Sequence, residues 1–125
     1  MVALLERNVI GAPTILAKKN AFLKVGGFDT SYQAFEDWEF VIRFARDYQI
    51  GFVARPLIDC YVSNSGVSAR YGSLYAARCK MLATYKEEMM SAGVFESIMR
   101  SILEQAQELG ILDTVKKMMM FYLSQ

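Results

Sequence analysis

Two adjacent carboxylates, Glu36 and Asp37, stand between Phe35 and Trp38. A carboxylate beside aromatic rings is partly shielded from water and could accept a proton from a substrate hydroxyl. A plainer role competes. Acidic residues favour the first turn of a helix, where they meet unpaired N–H groups and the positive end of the dipole. The dipole favours the ionised form and so weakens the base, while partial burial by Trp38 pushes the other way. Either role needs a helix that starts at residue 36 and a loop that delivers the pair to a cleft.

Composition narrows the rest. The chain has 125 residues, of which 54% are apolar, enough for one domain with a core. Its net charge of +1 gives no electrostatic reason to expect nucleic acid as a partner. Histidine is absent, which removes Ser-His-Asp and Cys-His catalysis and His-ligated zinc. Cys60 and Cys79 form no CxxC pair, and two buried thiols are expected of them. No Walker A, GxGxxG or DxD sequence occurs, and no metal ligand set is assigned. No apolar run reaches the ~18 residues of a membrane span.

The elements follow from pattern. Residues 1–70 read as mixed strand, turn and helix, and residues 71–125 as helices. Strands are expected at 9–15, 50–54 and 57–62, and a short helix at 18–25 that Gly26 and Gly27 stop. A stronger helix is expected at 36–48, with Phe40, Val41, Phe44, Ala45 and Tyr48 inward. Glu39, Arg43, Arg46 and Asp47 fall on its opposite, solvated face. Three amphipathic helices are expected at 73–90, 94–109 and 111–123, with Gly93 and Gly110 at their junctions. Tyr32 and Tyr61 read as core or rim aromatics, and Met118, Met119 and Met120 as adaptable packing.

The run VGGFDTSYQAFEDWEFVIRFA resembles the second half of the catalytic domain of family 2 glycosyltransferases, inverting enzymes of the GT-A fold. The likeness extends through NVIGAPTILAKKNAF before it and IGFVARPLIDCYV after it, over residues 8–68, about half of the chain. It implies an α/β class, α+β as an isolated fragment: the acceptor-side part of a GT-A domain at 1–70, followed by a helical extension at 71–125. It implies that Asp37 is the general base on the acceptor hydroxyl and that Glu36 contacts the acceptor or orients the loop. Trp38 would stack on a sugar ring, and Gly11, Ala12 and Pro13 would line the acceptor side. Asn64 stands near the position of a histidine on the diphosphate side, while Val62 replaces the neighbouring arginine. The nucleotide-binding half and its metal site are missing from the sequence. The chain therefore reads as a C-terminal piece of a longer enzyme, inactive alone. That parent would use a nucleotide-sugar donor, a glycan or lipid-linked acceptor and a divalent cation, Mn or Mg. It would work in cell-surface polysaccharide synthesis, in the cytoplasm or at the inner face of the membrane.

A reading from a different class makes the chain a small Met-rich helical interaction module, with Glu36 and Asp37 as a helix cap. It explains the lack of DxD but not the order and spacing of GGFD and EDW. As a cut domain, the chain would expose apolar surface once covered by its missing half, and such surface favours self-association into a homo-oligomer.

Overall fold

A computed structural model of the chain describes residues 1–61 and 71–125. Four short pieces come first: α1 (Val2–Glu6), a 3₁₀ turn (Ala12–Thr14), α2 (Lys19–Lys24) and α3 (Glu36–Asp47). Four helices follow: α4 (Tyr71–Thr84), α5 (Lys86–Ser91), α6 (Phe95–Glu108) and α7 (Leu112–Leu123).

The helical part is assembled around α4. Tyr75, Cys79 and Leu82 line one side of α4 and Ala77 and Met81 another, and all are buried. A helix that is apolar on two sides belongs inside a bundle. It packs most extensively on α7 and also against α6. From α6 come Ile98, Ile102 and Ala106, at the four-residue spacing of a single inward stripe. From α7 come Val115 and Met119. The expected helix over 73–90 is bent at Tyr85 into α4 and α5, yet its hydrogen bonds continue: Tyr85 N–H reaches Met81 C=O and Met89 N–H reaches Tyr85 C=O, both at 2.9 Å.

One apolar cluster joins the two parts of the chain. It contains Leu5, Tyr32, Ala34, Trp38 and Ile42 together with the inward residues of α4 to α7. A second, aromatic group lies within the front part. Phe22, Phe28 and Phe40 meet pairwise at 5.1–5.3 Å between centroids, and Phe44 stacks on Tyr48 at 4.6 Å. The Gly26-Gly27 turn brings Phe28 there. Both glycines have positive φ, and a Cβ on Gly27 would stand 3.0 Å from the Phe22 ring.

The α/β expectation is overturned. No strand exists among the described residues, and α-helix and 3₁₀ turn make up all the regular structure there. The segment expected as a strand at 9–15 instead holds the 3₁₀ turn, with Pro13 in its first turn. Residues 49–61 form no helix or strand, and among the described residues their one backbone hydrogen bond is local, Arg55 N–H to Val53 C=O. A helix closes its own hydrogen bonds, whereas a strand needs a neighbour's backbone. Among the described residues no such neighbour is present, and the β-branched and aromatic residues stay wet: Phe52 is 90% exposed and Tyr61 93%. Val62 and Asn64 lie outside the described residues. Among the described residues, no helix is long and apolar enough to cross a membrane.

Candidate functional site

The acidic pair does open a helix. Glu36 and Asp37 occupy the first turn of α3, with Glu39 just behind. The preceding residue, Phe35, adopts a left-handed conformation at φ 60°, ψ 21°. For a bulky side chain this costs of the order of 1–3 kcal/mol, so the surroundings must hold it. Its ring meets Trp38 edge-on at 5.5 Å.

Asp37 is where distant segments converge. Its Oδ2 accepts the Ala12 amide N–H at 2.8 Å, across 25 residues of sequence. Its Oδ1 accepts the Trp38 N–H at 2.7 Å and the Asn8 side-chain amide at 3.3 Å. Thus Ala12, with its exposed neighbours Gly11 and Pro13, stands beside Asp37. A carboxylate offers about four lone-pair sites, and Oδ2 keeps one open among the described residues. Glu36 is half-buried, and its carboxylate has no hydrogen-bond partner among the described residues.

Trp38 is placed differently from the expectation. It is 5% exposed, and its indole N–H donates to Leu4 C=O at 2.5 Å. The ring pins α1 to α3 and has no open face for a sugar. Sugar-facing aromatics need one wet face, and here α1 covers it.

Of the four charged residues expected on the solvated face of α3, Arg46 and Asp47 are exposed, but Glu39 and Arg43 are not. Glu39 is 4% exposed. It accepts Arg43 Nε on Oε1 and Nη2 on Oε2, each at 2.7 Å, in the bidentate fork that suits guanidinium and carboxylate. Tyr85 donates its hydroxyl to the same Oε1 at 2.8 Å, from 46 residues away. Arg43 also donates to Val25 C=O at 2.5 Å and Gly27 C=O at 2.7 Å, closing the end of α2. This network joins the glycine turn, α3 and the helical part. Burial pushes the Tyr85 hydroxyl above its usual range, and the Glu39 carboxylate adds to it. The hydrogen bond to Glu39 raises Arg43 further. Sequence reasoning missed Glu39, Arg43 and Tyr85 as a unit. The spacing of four between Glu39 and Arg43 was visible, but the third partner was not.

The loop after the glycine turn is fixed to α4. Asp29 accepts the amide and hydroxyl of Ser31, which hold its carboxyl below the usual range. Lys80 lies over the Tyr32 ring at 4.2 Å, and the Tyr32 hydroxyl meets that of Thr84 at 3.2 Å. Arg46 remains at the surface, paired with Glu88. Cys79 is buried, with its thiol pushed up to about 11 by burial, but Cys60 is exposed rather than buried.

The metal ion implied for a parent enzyme does not fit the residues present. No group of three or more Cys, Asp or Glu among the described residues could hold one, and no chemistry here is routed through it. No family model, curated protein or solved structure matches the chain.

Proposed function

We propose that this chain supplies the acceptor-side base of an inverting sugar transfer, with Asp37 as the catalytic residue. The supporting observation is the meeting of Asp37 with Asn8 and Ala12, which orients the carboxylate and, among the described residues, leaves one lone-pair site of Oδ2 open. Through that site Asp37 takes the proton of an acceptor hydroxyl. The hydroxyl oxygen forms its bond to the anomeric carbon as the bond to the nucleotide diphosphate breaks on the opposite face. The diphosphate leaves with the electron pair, and configuration inverts. Glu36, with no hydrogen-bond partner among the described residues, holds a second hydroxyl of the acceptor in this reading. In the enzyme that contains this chain, Asp37→Asn is expected to lower turnover by about 10²–10⁴-fold with acceptor KM little changed. Unchanged turnover would overturn the assignment.

A second reading has its own support. The helical architecture by itself matches an interaction module better than a transferase half. Met120 and Phe121 on α7 are both well exposed, as a docking face requires. In that reading Asp37 is only a tether between α3 and residues 8–12. Polar replacement of Met120 and Phe121 together would then abolish association, and Asp37→Asn would leave function intact.

A further inference from the structure

A groove of about 340 Å³ opens beside the start of α3. Its walls are apolar: Phe35 just before α3, Leu74 and Tyr75 from α4, and Leu109 at the end of α6. Its polar lining is Arg78, Gln105 and Glu108. The volume is at the small end of ligand sites and suits an occupant of roughly a dozen heavy atoms.

Arg78 is the unusual member. It is half-buried in this apolar setting, and burial pulls its pKa below the usual value. Its Nη1 donates to Gln105 Oε1 at 2.6 Å. No carboxylate lies within ion-pairing distance of it among the described residues. Residues 62–70 contain no Asp or Glu, so they supply no partner either. A guanidinium has five N–H donors in a fork that matches a carboxylate, and among the described residues only one is used. A desolvated cation without a counter-charge is costly, and an incoming anion removes that cost. Glu108, exposed on the rim, repels a second negative charge.

We propose that this groove is a binding site for an amphiphilic monocarboxylate, its apolar tail between Phe35, Leu74, Tyr75 and Leu109 and its carboxylate on Arg78. The site is separate from the Asp37 carboxylate and does not depend on the catalytic reading. Octanoate is the probe, with 1-octanol and acetate as controls, each titrated into the full chain by calorimetry and followed by NMR. Octanoate should bind saturably at one site. Each control should bind at least about ten-fold more weakly, the worth of one charge-assisted pair. Arg78→Gln should cost octanoate about ten-fold, and Glu108→Gln should tighten it about three-fold. Equal binding of octanol and octanoate, or no saturable octanoate binding, would overturn the proposal. So would an Arg78→Gln protein that folds and binds unchanged. If circular dichroism shows that Arg78→Gln does not fold, Glu108→Gln decides, and unchanged or weaker octanoate binding there counts against the site.

Discussion

The helices after residue 70 and the segments before residue 62 are held by different forces. In α4, α6 and α7 the inward residues are aliphatic, sulfur-bearing or aromatic, and the packing is helix on helix. The front part has short elements and is stitched by polar groups: Asp37 to Ala12 and Asn8, Trp38 to Leu4, and Arg43 to Val25 and Gly27. Its junction with the helices adds the bond from Tyr85 to Glu39. Apolar packing is tolerant of direction, whereas hydrogen bonds fix positions. The part that carries the candidate chemistry is thus the part whose atoms are placed by donors and acceptors.

The largest effect is expected in the helical part. Leu82 is fully buried in the last turn of α4, and Leu82→Ala should cost about 4 kcal/mol in denaturant unfolding, by lost transfer energy and a cavity. Glu39→Gln comes next. It leaves Arg43 without its counter-charge, and about 2 kcal/mol should be lost, less than for a fully buried pair because the Arg43 side chain is 22% exposed. At this chain length that lowers Tm by roughly 8 °C, measurable by calorimetry.

Alkaline pH sharpens the contrast at the junction. Burial pushes the Tyr32 hydroxyl from 10.0 to about 12, and Tyr85 is raised further by burial and by Glu39. A raised pKa means that the folded state holds the proton that the unfolded state releases. The contribution is complete below pH 10 and is lost between pH 10 and about 12. Tm should therefore fall across that window, and Tyr32→Phe should make the fall shallower. The smallest effect belongs to residues 49–61: Phe52→Ser should change stability by no more than about 0.5 kcal/mol, because Phe52 packs on little. A larger loss would show that this segment has partners in the folded chain.

Much of the helical part was legible in the sequence, because an amphipathic helix writes its inward face at a spacing of three and four residues. Ile98, Ile102 and Ala106 were readable in that way, and Gly93 and Gly110 marked the ends. The strands were misread for a physical reason. Val53, Ile58 and Tyr61 carry β preference, but preference forms no sheet without a neighbouring backbone. At the site, residue types pointed to Asp37 and to a helix that starts at residue 36, and that start is observed. They did not show that Trp38 faces Leu4 or that Glu39 meets Tyr85, since both depend on residues far away in sequence. The left-handed backbone at Phe35 had no signal, because glycine or asparagine is the usual sign of that conformation.

Asp37 and Glu39 lie on one helix, and the chemistry proposed for the first stands against the buried network of the second. The most direct test is thermal unfolding of Asp37→Asn beside Glu39→Gln in this chain at neutral pH. Asp37 is half-exposed and water can replace its lost bonds, so Asp37→Asn should cost under about 1 kcal/mol against about 2 kcal/mol for Glu39→Gln. If Asp37→Asn proves as damaging as Glu39→Gln, the Asp37 carboxylate is a structural tether and its role as a base is contradicted.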